Sequence, residues 1–234
     1  APSRGLGDVY KRQLYVLVIF VPQNKFVHTS LHQVMDTIEY MLPGSKIIIY
    51  NDFIVALINR KDKIFNIEHT FSRLITFFKS NNIYGGLSRC FHNIADIKNY
   101  YEQSVKSIEL GIRLIKDKFL FYYEDLAIYH LLEICSRQED LKKFCHASIF
   151  ALIKYDKINN TNYLHCLYTY LLNEKNQLKT ASNLNICRST LSHRLKRIQQ
   201  IMNIDLNDTT TILSLTLTFM IFKYMDIYGG VIHE

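Results

Sequence analysis

Hydrophobic positions in the first part of the chain alternate between strand-length runs and helical spacing. Residues 14–20 (LYVLVIF) form a β-branched and aromatic run that predicts a buried strand. Residues 29–42 carry Leu, Val, Met and Ile at helical spacing. The apolar runs within 46–58 flank Asn51 and Asp52, two residues that favour tight turns, so this region predicts a β-hairpin.

The same alternation continues through the next part of the chain. Helical spacing recurs at 65–79 and at 94–115, where Asn93 is the expected N-cap. Short apolar runs at 84–91 and 119–123 predict two more strands. The order β-α-β-β-α-β-α-β predicts an α+β fold, in which helices cover a mostly antiparallel sheet.

Strand patterns then stop, and the rest of the chain is helical in its spacing. Helices are predicted at 125–134, at 139–154 and throughout 162–224. The segment 156–161 (DKINNT) is a polar connector, and Thr161 can cap the helix that follows it. We therefore expect an α+β half followed by an all-α half.

Three of the later helices have the spacing of a helix-turn-helix. They are predicted at 163–173, 177–184 and 188–201, with a joint of three residues, 185–187, between the last two. So short a joint makes the paired helices cross steeply and leaves the outer face of the third free to enter a major groove.

The third helix separates apolar from polar residues. Its apolar positions recur on one face, and polar residues fall on the opposite face. Four cations and no acidic residue lie between Arg188 and Gln200, whereas a solvated surface helix usually mixes both signs. This polar face is the best phosphate-binding candidate in the chain. The apolar positions are Leu191, Leu195, Ile198 and Met202, and the polar ones are Ser189, His193, Lys196 and Gln200.

Composition agrees with this interpretation. The chain has 28 Lys and Arg against 21 Asp and Glu, a net charge of +7, which suits a polyanionic partner. Its 48% hydrophobic residues indicate a folded globular protein. The five widely spaced cysteines lack a C-x-x-C pair and favour a reducing, cytoplasmic location. The sequence predicts no membrane span and no signal peptide, since the apolar run at 14–22 is too short.

The helix-turn-helix residues also carry a family resemblance. Residues 181–208 (ASNLNICRSTLSHRLKRIQQIMNIDLND) closely resemble the C-terminal helix-turn-helix of the PucR and CdaR transcription factors. That pattern reads A-x-x-L-x-V-H-R-N-T-L-x-Y-R-L-x-R-I, followed by G-x-D/N-L-x-D. Cys187, Ser189 and His193 depart from it, so the resemblance implies DNA binding but not a particular operator. The matching positions are Ala181, Leu184, Arg188, Thr190, Leu191, Arg194, Leu195, Arg197, Ile198, Asp205 and Leu206.

The upstream half resembles the degenerate GGDEF-like domain that precedes this helix-turn-helix in many such regulators. The resemblance lies in residues 86–111 and 119–133. Active nucleotide cyclases carry Gly-Gly-Asp/Glu-Glu-Phe in the hairpin and a metal-binding Asp after the first strand. Here the hairpin reads IYNDF (49–53), so the glycines that let the backbone approach a phosphate closely are missing. The strand end (19–23) has no acidic residue, so the Mg²⁺ ligands are missing too. We therefore expect no cyclase activity. The sequence also has no Ser/His/Asp, Cys/His or paired-carboxylate arrangement with readable spacing, so we expect no other enzymatic activity, no catalytic residue and no cofactor.

These observations divide the chain into five predicted segments. Residues 1–13 have no initiator Met and look like a translated adaptor scar, so we interpret the chain as a C-terminal fragment of a longer protein. The others are a degenerate GGDEF-like antiparallel-sheet domain (14–123), a helical connector (124–160), an all-α helix-turn-helix domain (161–226) and a tail (227–234).

The leading hypothesis is a sequence-specific transcriptional regulator that binds double-stranded DNA as a homodimer. A GGDEF-like domain without activity would serve dimerisation or signal relay, and a missing N-terminal domain would sense a small-molecule effector. Thr190 is also included in the DNA-binding set. The expected phosphate contacts are Lys179, Thr180, Arg194 and Arg197, and the expected base contacts are Arg188, Ser189, Ser192, His193 and Lys196.

Three alternatives remain open at this point. The α+β half could be a nucleotide-binding sensor or enzyme that holds GTP around residues 50–53. The helical half could be a protein-interaction scaffold that has lost DNA binding. Cys145-His146 and His165-Cys166 could supply zinc ligands from facing helices, although adjacent residues point to different sides of a helix, which disfavours a metal site.

Overall fold

The computed structural model of the protein describes residues 13–22, 30–59 and 67–226, apart from the side chains of 67–70. Predictions for residues 1–12 and for the tail 227–234 lie outside the described residues. The chain divides into two compact units, one up to His130 and the other from Leu131 onward.

The first unit contains a five-stranded sheet with the order β2-β3-β1-β4-β5. The pairs β2–β3, β3–β1 and β1–β4 are antiparallel, and β4–β5 is parallel. This arrangement confirms the predicted mostly antiparallel sheet. The strands are β1 (Leu14–Phe20), β2 (Lys46–Tyr50), β3 (Phe53–Asn59), β4 (Tyr84–Leu87) and β5 (Leu120–Tyr122).

The hairpin between β2 and β3 forms where the sequence predicts it. Tyr50 pairs with Phe53, and the two residues between them turn the chain. Asn51 and Asp52 both have positive φ, 48° and 63°. Two consecutive left-handed residues are typical of the type I′ turn, whose twist matches that of the flanking strands.

Helices cover both faces of this sheet. α1 (Leu31–Met41) and α2 (Ile67–Asn81) pack with Leu17 and Ile19 of β1 in one apolar cluster. α3 (Ile97–Leu114) packs in a second cluster with the intervening β1 residues, Val16 and Val18. Because successive strand residues point to opposite faces, the continuous apolar run of β1 is buried on both sides.

α3 begins as predicted, with one local difference. Asn93 accepts a hydrogen bond from the backbone of Ala95 at 3.1 Å, which confirms the expected cap. The first turn, Ile94–Asp96, is a 3-10 helix rather than an α-helix. The strand predicted at 84–91 is shorter than expected, because after β4 the chain forms only an isolated bridge between Phe91 and Leu14.

The described residues of the second unit form helices and the connections between them, with no strand, and include one short 3-10 helix, Leu141–Phe144. Its core is a single apolar cluster that joins side chains from the helices after this 3-10 turn. The division between the units falls within α4. The α-helices are α4 (Tyr123–Ser136), α5 (Ile149–Asn159), α6 (Tyr163–Leu172), α7 (Gln177–Asn183), α8 (Arg188–Met202) and α9 (Thr209–Tyr224).

The prediction of one helix over 139–154 is wrong. Asp140 accepts a hydrogen bond from the backbone of Lys142 at 3.0 Å and begins the short 3-10 helix instead. Cys145 then adopts an extended conformation, and the next helix, α5, starts only at Ile149. α5 runs on to Asn159, so most of the predicted polar connector 156–161 is helical.

An α+β unit with a mostly antiparallel sheet, followed by an all-α unit, confirms the predicted fold class. None of the described helices combines the length and apolar character that a bilayer crossing requires.

Candidate nucleic-acid interface

The helix pair α7–α8 has well-defined ends. The Asn176 side chain caps α7 by accepting a hydrogen bond from the backbone of Lys179 at 3.0 Å. After α7, Asn185 adopts a left-handed conformation with φ 51°, and the Ile186 N–H donates to the Ala181 carbonyl at 3.0 Å. These bonds close the end of α7 and turn the chain into α8 within a few residues. The two helices confirm the predicted helix-turn-helix to within one residue at each end.

The apolar face of α8 is buried as the sequence predicts. Leu191 and Ile198 are fully buried, and Leu195 and Met202 are nearly so. α8 contacts α5, α6 and α7, and its four apolar residues belong to the core of the second unit. Burial of each such side chain stabilises the fold by about 1.5–3 kcal/mol, so the orientation of α8 about its axis is fixed.

The opposite face of α8 is exposed to solvent, and most predicted contact residues lie there. Ser192 and Arg194, at its margins, are partly buried. Lys179 is exposed on the preceding helix α7. The exposed residues of α8 from the predicted set are Arg188, Ser189, Thr190, His193, Lys196 and Arg197.

Thr180 is the exception and corrects the predicted set. Its side chain is fully buried, and its hydroxyl donates to the carbonyl of Asn176, the N-cap of α7, at 2.7 Å. A buried hydroxyl that is satisfied by the backbone cannot reach a phosphate. We therefore remove Thr180 from the candidate interface.

The charge on this surface is of one sign. From Lys175 to Ile204 the chain has six cations and no acidic residue. None of the four cations of α8 forms an ion pair within the described residues. Two of them bond to neutral amides instead, Arg188 to Gln177 at 3.4 Å and Arg197 to Gln200 at 3.2 Å. The positive charge is thus available to an external anion.

Cys187 lies at the start of α8 and is exposed. Its Sγ is 3.1 Å from the Ser189 hydroxyl and 2.9 Å from the Thr190 hydroxyl. Hydrogen bonds from these two hydroxyls, and from the Thr190 backbone N–H, lower the pKa of the Cys187 thiol to about 7. A thiolate is therefore well populated at neutral pH beside the polar face of α8.

Three residues next to this surface were missed by the sequence analysis. Asp156 of α5, rather than Thr161, caps α6, since its carboxylate accepts from the backbone N–H groups of Tyr163 and Leu164. Tyr155 lies under the Arg197 guanidinium, and Gln177 bonds to Arg188. Each of these three interactions joins two different helices, so no periodic pattern in the sequence indicates it. Asn176, by contrast, lies directly before α7, where an Asn is a typical N-cap residue.

Cys145-His146 and His165-Cys166, which the sequence already disfavours as zinc ligands, belong to no metal-binding group within the described residues. No group of three or more His, Cys, Asp and Glu side chains in the described part of the chain could hold a metal ion. Cys166 is fully buried in the helical core, and burial raises its pKa to about 11. The His146 ring bonds to the Ser148 hydroxyl at 2.8 Å.

Comparison with known proteins bears on this surface directly. Residues 163–221, which include α6, α7 and α8, match the sequence model of a protein family, the PucR C-terminal helix-turn-helix domain. The chain carries a PucR-type helix-turn-helix. The PucR-type match begins after α5 and ends inside α9.

Two curated proteins of Bacillus subtilis (strain 168) are similar to the chain. The proline-responsive transcriptional activator PutR is 26% identical over 176 residues, which cover 73% of this chain and 43% of PutR. The DNA-binding transcriptional activator AdeR is 26% identical over 145 residues, 62% of this chain and 33% of AdeR. The chain therefore spans less than half the length of these relatives. The crystal structure of a regulator of polyketide synthase expression from Bifidobacterium adolescentis aligns over 92% of this chain and 82% of its own, with 18% identity and a TM-score of 0.39.

Proposed function

We propose that this chain is the DNA-binding part of a transcriptional regulator and that it docks α8 in the major groove of double-stranded DNA. The observation that carries the proposal is the division of α8 into a buried apolar face and an exposed face with cations and no acid. Helix-turn-helix proteins place such a face against base edges. The similarity to the activators PutR and AdeR supports the same function.

The candidate contact residues divide into two roles. Lys179, Arg194 and Arg197 contact phosphates, because long cations beside the groove-facing positions reach the backbone on either side of the groove. The remaining residues lie nearer the centre of the face or at its N-terminal end, which enters the groove first. They contact base edges or adjacent phosphates: Arg188, Ser189, Thr190, Ser192, His193 and Lys196.

Binding as a homodimer is part of the proposal. One helix-turn-helix covers a half-site, and two copies supply the affinity and the spacing of about one helical turn that operators require. We assign dimerisation or signal relay to the α+β unit, without catalysis, and place the protein in the cytoplasm. Sensing of a small-molecule effector by a further domain stays a prediction. Sedimentation of the chain with and without a selected duplex measures its stoichiometry, and one chain per operator would contradict the dimer.

The experiment that tests DNA binding selects genomic fragments with the purified chain and then measures affinity for a selected duplex at several salt concentrations. We expect Arg188→Ala to cost about 1–3 kcal/mol of specific binding if Arg188 reads a base. Lys196→Ala should lose a comparable amount. Lys98→Ala is the matched control, because Lys98 is an exposed cation of the α+β unit and pairs with Glu102.

Three outcomes are distinguishable. A loss for Arg188→Ala and Lys196→Ala, with none for Lys98→Ala, supports docking of α8. An equal small loss for all three variants indicates attraction by net charge alone. A wild-type chain that binds no duplex at low salt overturns the proposal and favours a protein-interaction scaffold.

A further inference from the structure

The guanidinium of Arg197 lies over the ring of Tyr155, and that ring in turn stacks on the ring of Tyr163. The central carbon of the guanidinium lies 5.5 Å from the centre of the Tyr155 ring in α5. The Tyr155 ring also stacks on the ring of Tyr163 of α6, with ring centres 5.8 Å apart and planes 10° from parallel.

Both rings are held in place by the surrounding fold. Tyr155 and Tyr163 are half-buried, whereas Arg197 is exposed. The residue after Tyr155, Asp156, accepts from the Tyr163 backbone at 2.9 Å, so the two ring-bearing residues are tied together. One turn before Tyr155, Leu152 is fully buried in the core that also contains the apolar face of α8.

Stacking on a ring leaves the donors of a guanidinium free. When a planar guanidinium packs with its face on an aromatic ring, its N–H donors lie in the plane at its edge. One donor of Arg197 bonds to Gln200 at 3.2 Å, on the exposed side of α8. Because a stacked arginine has fewer accessible rotamers, less conformational entropy is lost when its edge binds an anion.

We propose that Tyr155 is a positioning residue for DNA binding, whose ring holds the Arg197 guanidinium ready to bind a backbone phosphate. The inference rests on the proposed function of α8 and extends the DNA-binding machinery to a helix outside the PucR-type match. Tyr155 itself does not touch DNA. Its contribution depends on Arg197 and on the aromatic character of its ring.

A double-mutant cycle in the full chain tests this role. The probe is a mixed-sequence 30-base-pair duplex, and the readout is the Kd at several salt concentrations. A cation over an exposed ring corresponds to about a two- to fivefold change in an equilibrium constant, so we expect Tyr155→Ala to weaken binding by that factor. Arg197→Ala should weaken binding further and reduce the salt slope by about one. In the Arg197→Ala background, Tyr155→Ala should have no further effect.

Two more variants separate positioning from packing. Tyr155→Phe keeps the ring and should bind as the wild type does. Tyr155→Leu keeps apolar bulk without a ring face and should weaken binding by the same factor as Tyr155→Ala. It provides the test if Tyr155→Ala does not fold. Thermal unfolding of each variant checks that the helical unit is intact.

The proposal is overturned if Tyr155→Leu binds like the wild type, or if the Tyr155 variants cause the same loss with and without Arg197. Either result, with wild-type DNA binding intact, removes the positioning role and leaves the proposed function standing. A wild-type chain that binds no duplex at low salt removes both.

Discussion

The carboxylate of Asp156, near the end of α5, accepts a hydrogen bond from the backbone N–H of Leu164 in the first turn of α6, at 2.8 Å. The same carboxylate accepts from the Thr161 hydroxyl at 2.5 Å and from the Tyr163 backbone at 2.9 Å. The first N–H groups of a helix have no partner within it, so this one side chain satisfies donors that the local N-cap, Asn162, leaves unpaired. α5 is thereby joined to the helix that begins the PucR-type match.

We expect Asp156→Ala to destabilise the helical unit by about 1–3 kcal/mol, because it leaves partly buried backbone donors without an acceptor. Asp156→Asn keeps one acceptor oxygen and should cost less. Denaturant unfolding, followed by circular dichroism, measures both. The matched control is Asp205→Ala, because the Asp205 carboxylate is exposed and, among the described residues, accepts hydrogen bonds from Asn207 alone. Equal stability of the Asp156 and Asp205 variants would contradict the capping role.

In the α+β unit, the close approach of α3 to the sheet predicts the effect of a small substitution. A Cβ on Gly86 of β4 would lie 2.1 Å from the backbone carbonyl oxygen of Ser104 in α3. That helix cannot retreat freely, since the fully buried Ser104 hydroxyl donates to the Val16 carbonyl of β1 at 2.8 Å.

Gly86→Ala should therefore destabilise the α+β unit by about 1–3 kcal/mol, the usual range for overpacking a core. Unfolding of the full chain, followed by a signal from the α+β unit, measures the change in the free energy of unfolding. Ser72→Ala, at an exposed position of α2, is a control that removes little packing. A Gly86→Ala variant as stable as the wild type would mean that α3 can shift away from the sheet.

The lowered pKa of Cys187 predicts its reactivity. An ordinary thiol has a pKa of 9.0, and that of Cys187 is lowered to about 7, so its thiolate forms as pH rises through 7. Alkylation by iodoacetamide, which requires the thiolate, should rise between about pH 6 and 8 and then level off. Cys166, buried and with a raised pKa of about 11, should not react in the folded chain.

Mass spectrometry of alkylated peptides over a pH series measures both cysteines in one sample. Ser189→Ala combined with Thr190→Val removes the hydroxyl donors and should move the Cys187 midpoint upward, toward 9. If the pH midpoint of Cys187 alkylation lies near 9 in the wild-type chain, the hydroxyls do not stabilise the thiolate. Cys187→Ser removes the thiol and so identifies the alkylated peptide that belongs to Cys187.

Much of this fold follows from patterns that are local in the sequence. The hairpin is predictable because Asn51 and Asp52 tolerate the left-handed conformation that its turn requires. The exposed face of α8 is predictable because Leu191, Leu195 and Ile198 recur at the helical period and fix the buried side. For the same reason, most predicted contact residues are exposed.

The features that the sequence predicts wrongly depend on tertiary contacts, which local sequence patterns do not indicate. Thr180 is a residue type suited to phosphate binding, but its position in α7 turns its side chain toward the core. The break between residues 144 and 149 contains neither Pro nor Gly, so nothing local marks it. One contact that helps to hold it is the His146 N–H, which donates to the buried Thr218 hydroxyl of α9 at 2.8 Å, a partner far along the chain.

The burial of α5 leads to a final prediction about the domain boundary. Residues 124–160 were predicted to be a connector, yet Ile149, Leu152 and Ile153 of α5 are buried in the same core as α8. We propose that the DNA-binding domain begins before α5. Leu152→Ala in the full chain should then lower the stability of the helical unit by about 2–5 kcal/mol, whereas Leu213→Ala, at a leucine that is 70% exposed, should have little effect. A fragment of residues 139–226 should fold cooperatively, and a fragment of residues 161–226, which lacks α5, should show less helix and no sharp thermal transition. If the shorter fragment is as stable as the longer one, α5 is a connector after all, and the contact between Tyr155 and Arg197 is incidental to the fold of the domain.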